Sequence, residues 1–153
     1  MDLQQKYLAS QIENATPLTL VVLLYEGAIR FLNNAKDAFE KKETEEFVIN
    51  ISKARNIISE FMCTLNADDG GDVAKNLLAL YVFIYEQLVY ANIYKEVNGV
   101  NSAIDLLSGL LESWRSIANQ ETASEAQAPA ADPMTYNQDA TAEFEAGRIS
   151  FNG

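Results

Sequence analysis

The sequence predicts an all-α protein: an antiparallel four-helix bundle with a short amino-terminal helical cap and a carboxy-terminal tail. Apolar residues recur at three- and four-residue steps through four long stretches, as they do in amphipathic helices. Short turn signals separate these stretches, and such short connections make neighbouring helices antiparallel. The 153 residues are 48% hydrophobic with three prolines and seven glycines, which indicates one folded domain with a core.

The first long helix is expected to begin at Thr16 and Pro17. A threonine hydroxyl can cap a free backbone amide, and a proline at the first helical position has no amide to leave unpaired. The apolar run over residues 18–25 could by itself be a buried strand. The pattern continues at helical spacing to Phe39, however, and stops at the charged residues 40–43, which favours a helix.

The second helix is expected to be capped by Thr44, with Glu45 and Glu46 in its first turn placed favourably against the helix dipole. Its apolar face comprises Phe47, Ile51, Ala54, Ile58, Phe61, Met62 and Leu65. A turn over residues 66–71 follows, because aspartate and glycine accept backbone angles that helices do not use.

The third helix, expected from about Asp72 to Val97, is apolar around most of its circumference. Its main stripe comprises Val73, Leu77, Leu80, Tyr81, Ile84, Leu88, Ala91 and Tyr94. A second set comprises Leu78, Val82, Phe83, Tyr85, Val89, Tyr90 and Ile93. A four-helix bundle has no central position, so each helix needs only one apolar stripe. The surplus predicts a cover: the amino-terminal segment, the tail, a second copy, or a foreign helix laid in a groove.

The fourth helix is expected after a break at Asn98 and Gly99, with Asn101 or Ser102 as its cap. Its apolar side chains are Ile104, Leu107, Leu110, Leu111, Trp114, Ile117 and Ala118.

Both ends of the chain differ from the predicted bundle at residues 16–119. Residues 1–15 contain enough apolar side chains for one or two helical turns, which are too short to be stable alone and are expected to dock as a cap. From residue 120 to 153 the composition turns acidic, with alanine, serine, glutamine and proline, and predicts a tail that is disordered or weakly docked.

The composition excludes several classes of function. A net charge of −11 repels phosphate backbones and anionic lipid, so neither nucleic acid nor a membrane surface is an expected partner. The chain has no histidine, which excludes triads and histidine metal sites, and its single cysteine, Cys63, is interpreted as a small buried hydrophobe. We predict no enzyme, no cofactor and no metal. The weakest alternative is a helical enzyme with an anion pocket formed by Arg30, Arg55 and Arg115.

The expected location is the cytoplasm. The amino terminus has neither the charged nor the apolar region of a signal peptide. The longest uncharged runs fall far short of the roughly 20 apolar residues that a spanning helix needs, so membrane insertion is not expected.

Several motifs occur in a fixed order along the chain. They are Tyr7, Ile12, Ala15-Thr16-Pro17, Leu23-Leu24-Tyr25-Glu26-Gly27-Ala28, Asn76-Leu77, Leu80-Tyr81, Ala91-Asn92-Ile93 and Trp114-Arg115. In order and spacing they resemble the flagellin export chaperones, the FliS family, over residues 3 to about 119.

The resemblance implies a cytoplasmic chaperone that binds the carboxy-terminal segment of flagellin, prevents its premature polymerisation and delivers it to the flagellar type III export gate. It also implies that Tyr7 and Ile12 belong to a cap that occupies part of the groove when empty and contributes to export-gate docking when loaded. The groove candidates, which divide between core and groove, are Leu24, Tyr25, Ile29, Leu77, Tyr81, Ile84, Tyr85, Leu88, Ile93 and Tyr94.

Two features depart from the family pattern. Members commonly have two arginines after the helix-three tyrosine, where this chain has Glu86 and Gln87. Many members also end soon after the tryptophan, so the tail is either a plain extension or a tethered cover for the empty groove through Phe144, Ile149 and Phe151. The alternative function is a homo-oligomeric helical module without a flagellin client, and a homodimer of the unloaded chain is left open.

Overall fold

Four long helices form the described part of the chain. The computed structural model describes residues 3, 5, 6, 9, 16–65 and 70–127, and no strand occurs among them. The helices are α1 (Pro17–Glu40), α2 (Thr44–Thr64), α3 (Gly71–Tyr94) and α4 (Asn98–Gln127). The predicted all-α fold is confirmed.

The helices are arranged as a ring of four. Helix α1 packs against α2 and α4, and α3 packs against the same two neighbours, so α1 and α3 lie on opposite sides of the bundle. The short connections make sequential neighbours antiparallel. Each helix therefore has one face toward the core and one face toward solvent.

The start of α1 confirms the prediction, whereas the start of α2 does not. The amide of Thr19 donates to the Thr16 hydroxyl over 3.1 Å, with proline in the first turn. In α2 the N-cap position belongs to Glu43, which makes no capping bond with its side chain. The reason is the short turn: the Glu43 amide donates to the Ala38 carbonyl at the end of α1, while its carbonyl accepts from Phe47 in α2.

Helix α4 is longer than predicted at both ends. It begins at Asn98, because the preceding turn is made by Lys95 in the left-handed conformation with φ of 54°, so that Asn98 and Gly99 are already helical. It continues to Gln127 instead of ending at residue 119. Residues 120–127 contain neither proline nor glycine, so no residue of this stretch interrupts the helix.

An aromatic layer lies at the centre of the bundle, with one ring from each helix: Tyr25, Phe61, Tyr81 and Trp114. The Tyr25 ring lies 4.8 Å from Phe61 and 6.3 Å from Trp114 between ring centroids, and Phe61 lies 5.4 Å from Tyr81. Other fully buried large side chains are Val21, Leu32, Phe47, Ile51, Ile58, Ile84, Leu88, Val100 and Leu107. The core thus draws on all four helices and lies along the bundle axis.

Candidate functional site

Helix α3 exposes a row of large apolar side chains on its outer surface. The exposed fractions are 45% for Phe83, 50% for Tyr90, 64% for Ile93 and 62% for Tyr94. We call the surface formed by Ala79, Phe83, Glu86, Tyr90, Ile93 and Tyr94 the α3 face. Exposed apolar side chains concentrated on one helix in this way mark an interaction surface.

The α3 face is spaced as a helix-packing surface. Positions 79, 83, 86, 90 and 93 follow one another at alternating steps of four and three residues, which is the spacing of the seam between two packed helices. The opposite side of α3 faces inward through Tyr81, Ile84 and Leu88, all of which are buried. Helix α3 therefore presents one apolar side to its own core and a second one to solvent.

Two tyrosines at the carboxy-terminal end of α3 lie against each other. The ring centroids of Tyr90 and Tyr94 are 4.4 Å apart, with the ring planes tilted by 44°. Tyrosine combines a large apolar body with a hydroxyl that can remain in water or find a partner, which suits the rim of an interface.

By length and composition, α3 is also the one helix among the described residues that could cross a membrane. Its most apolar window has a mean hydropathy of 1.3, and 22% of that window is buried in the bundle. This finding differs from the prediction based on uncharged runs, because Glu86 ends an uncharged run but does not prevent the surrounding stretch from being apolar on average. Core helices of soluble proteins pass the same test, and part of the apolar content of α3 is core: Ile84 and Leu88 are fully buried.

The ten groove candidates fall into three groups. Four form the core and are buried: Tyr25, Tyr81, Ile84 and Leu88. Four are half-buried: Leu24, Ile29, Leu77 and Tyr85. Two are exposed on the α3 face: Ile93 and Tyr94. A bound chain would reach the four core residues only if the bundle opened. Both cap candidates, Tyr7 and Ile12, lie outside the described residues.

The candidates omit Phe83 and Tyr90, which the structure places in the middle of the α3 face. Both belonged to the surplus apolar set, and their spacing from Ile93 was the signal that could have identified them. The predicted core stripe of α3 is wrong at its two ends, since Val73 and Tyr94 are exposed. In these terminal turns the buried positions are Ala74 and Ala91, so Val73 and Tyr94 lie on the side turned away from the core.

The buried tyrosine hydroxyls of α1 and α3 satisfy each other. The hydroxyl of Tyr25 is hydrogen-bonded to that of Tyr81, and the Trp114 side chain also bonds to Tyr25. Burial raises the pKa of Tyr25 to about 12, and these two hydrogen bonds oppose that shift. Tyr25 of α1 is thus linked to α3 through Tyr81 and to α4 through Trp114 by polar contacts inside the core.

Replacing Tyr25 with phenylalanine is expected to lower stability by about 1–2 kcal/mol near neutral pH, because buried groups of Tyr81 and Trp114 lose their partner. The difference should shrink at alkaline pH and change sign once the loss in the wild-type chain exceeds it. The unfolded wild-type chain releases the Tyr25 proton near pH 10 and the folded chain only near pH 12, so wild-type stability falls by up to about 3 kcal/mol across that window.

Urea unfolding of the two proteins from about pH 8 to about pH 11.5 measures this difference. The two chains differ at this one hydroxyl, so the wild-type value minus the variant value isolates Tyr25. A difference that stays constant over this range would contradict a raised pKa.

The three arginines of the enzyme alternative do not converge. Arg30 and Arg115 line an open cleft of about 330 Å³ between α1 and α4. Arg115 is ion-paired with Glu26 over 3.3 Å, and both side chains are substantially exposed. Arg55 lies elsewhere, over the ring of Tyr85. Within the described part of the chain, no three His, Cys, Asp or Glu side chains are grouped to hold a metal ion. The prediction that Cys63 is buried is wrong, because this position lies on the solvent side of α2.

Known proteins of one family are similar to this chain over almost the whole bundle. The profile of a family described as "Flagellar protein FliS" matches residues 1–121. The flagellar secretion chaperone FliS of Campylobacter jejuni is 34% identical over 119 residues, which cover 78% of this chain and 93% of that protein. The corresponding protein of Bacillus subtilis is 30% identical over 124 residues, with 79% and 92% covered.

A solved structure supports the same assignment at the level of the fold. The crystal structure of a bacterial flagellar chaperone matches with a TM-score of 0.64 at 20% identity and covers 76% of this chain and 95% of that one. The family profile spans more than half of the chain, and the Campylobacter jejuni relative is 34% identical over most of its length. This chain therefore belongs to the FliS family of flagellar secretion chaperones.

Proposed function

We propose that this chain binds the carboxy-terminal segment of flagellin on the α3 face, keeps flagellin from polymerising in the cytoplasm and hands it to the flagellar type III export gate. The observation that carries this proposal is the exposed apolar surface formed by Phe83, Tyr90, Ile93 and Tyr94 in a member of this family. An amphipathic client helix would cover that surface with its own apolar side.

The free energy available from covering the α3 face is consistent with reversible binding of a client. Covering four half-exposed large side chains contributes about 1 kcal/mol each, which falls short of the cost of association on its own. A stable complex therefore needs the half-buried flanks of α3, such as Val82 and Val89, and other parts of the chain. A client that folds on binding also loses chain entropy, which keeps the complex releasable.

The amino-terminal segment is the proposed link to the export gate. By resemblance to the family, Tyr7 and Ile12 cap part of the binding surface in the unloaded chain. Client binding would displace this cap and make it available to the gate protein. In this role the chain acts as a carrier and catalyses no reaction.

Replacing Ile93 with aspartate is expected to weaken binding of the flagellin carboxy-terminal segment at least about tenfold, because the variant places a carboxylate where the client helix would bury an apolar side chain. Titration calorimetry with the segment of flagellin from the same cell measures the change. The side chain of Ile93 is 64% exposed, so the fold should persist.

Ile49→Asp provides the matched control. It makes the same chemical change on α2, at another exposed isoleucine. We expect it to leave affinity within about twofold, since exposed substitutions away from an interface have small effects. Equal loss of binding in both variants would show that the α3 face is not the client surface.

Light scattering separates this proposal from the homo-oligomeric alternative. A chaperone should form a one-to-one complex with the flagellin segment, whereas a self-associating module would bury the α3 face against its own copies. An oligomer that persists unchanged in the presence of excess segment would favour the alternative.

A further inference from the structure

A single acidic residue interrupts the α3 face. Glu86 lies between Phe83 and Tyr90 in the row, and its side chain is exposed. On a helix the neighbours of a side chain lie three and four positions away. For Glu86 these positions hold Val82, Phe83, Val89 and Tyr90, so the carboxylate is surrounded by apolar side chains.

No cation within the described residues neutralises this carboxylate. The ion pair between Arg115 and Glu26 on the bundle surface does not involve Glu86. On α2, Arg55 is directed at the ring of Tyr85, with its guanidinium carbon 5.9 Å from the ring centroid. Glu86 is therefore held in water, which an exposed position allows.

A client helix covering the α3 face would remove that water. Removing an ionised carboxylate from water without a partner is costly, and a cation with good geometry offsets the cost. Resting on the proposed function, we propose that the client segment carries a lysine or arginine that meets Glu86, flanked at helical spacing by apolar side chains that meet Phe83 and Tyr90.

Both parts of such a cationic side chain fit this position. Its apolar stem can lie along the exposed Phe83 and Tyr90 rings, and its charged end can reach the Glu86 carboxylate. The same arrangement rejects segments with an acidic residue at that point, because two carboxylates would face each other. Glu86 thus selects the register and the identity of the client.

The test is charge reversal in the full-length chain, with the carboxy-terminal segment of flagellin from the same cell as the titrant. Glu86→Lys should weaken binding about tenfold, and Glu86→Gln should weaken it by a smaller factor. Asp37→Lys makes the same charge change at an exposed position on α1, on the opposite side of the bundle. It should leave affinity within about twofold at physiological salt, where charges at long range are screened.

A rescue experiment identifies the partner residue. Each lysine or arginine of the segment is changed to glutamate in turn, and each variant is titrated against the wild-type and Glu86→Lys chains. One segment variant should bind the wild-type chain about tenfold more weakly and recover most of that loss with Glu86→Lys.

The outcomes separate this inference from the proposed function. Binding by the wild-type chain with unchanged affinity in Glu86→Lys, or with no rescuing segment variant, overturns the inference and leaves the client proposal intact. Failure of the wild-type chain to bind the segment at all overturns both.

Discussion

Replacing Phe61 with alanine is expected to lower the free energy of unfolding by about 4 kcal/mol, the cost of emptying a buried aromatic position. Phe61 is fully buried, and its ring lies against Tyr25 at 4.8 Å and Tyr81 at 5.4 Å between centroids. The cavity would open in the middle of the aromatic layer, where all four helices meet. Rearrangement of a single helix would therefore not fill it.

Urea denaturation followed by circular dichroism measures the loss. Phe39→Ala provides the matched control, because Phe39 is partly exposed and packs mainly against Phe47 at 5.5 Å. We expect this control to cost only about 1 kcal/mol, as is usual for a position outside the packed core. Similar losses in the two variants would contradict the assignment of the aromatic layer as the centre of the core.

The position of Phe61 in the core could be predicted from the sequence because α2 is amphipathic. Apolar residues at helical spacing define one side of this helix, and charged or polar residues define the other. The start of α1 at Thr16 and Pro17 could also be predicted, because local capping chemistry determines this boundary. Features that a single helix determines by itself were predictable, whereas the cap of α2, which depends on the turn from α1, was not.

The two sides of α3 could not be separated in the same way. Both are apolar, so the hydrophobic pattern of this helix does not indicate which side faces the core. Tyr81 is fully buried and Tyr90 is half exposed, although the residue type is the same. Their difference is determined by where α2 and α4 pack, which is tertiary information. The candidate site therefore mixed core residues such as Ile84 with exposed ones such as Ile93.

The boundary between α3 and α4 was missed for a related reason. Asn98 and Gly99 have the composition of a turn, but the reversal of direction occurs at Lys95, a residue rarely found with a positive φ. Gly99 does not form the turn and has a packing role instead. It allows the first turn of α4 to approach the backbone of α3 closely, which only the three-dimensional packing reveals.

Gly99→Ala is expected to lower stability by about 2 kcal/mol, because overpacking at a backbone contact forces the helices apart. A Cβ atom built on Gly99 would lie 2.4 Å from the carbonyl oxygen of Gln87 and 3.4 Å from the Cβ of Ala91. The clash involves backbone, which cannot move aside as a flexible side chain can. Since α3 would be displaced near Tyr90 and Ile93, we also expect weaker binding of the client segment.

Gly109→Ala makes the same change in the same helix with the opposite expected sign. Gly109 is exposed, and nothing lies within 4 Å of an added Cβ atom. Alanine in an open helical position stabilises by about 0.5–1 kcal/mol relative to glycine. Urea unfolding of both variants beside the wild-type chain therefore tests the contact itself, because only at Gly99 does an added Cβ atom meet the backbone of another helix. Stabilisation by both substitutions would mean that α3 and α4 do not approach each other closely at Gly99.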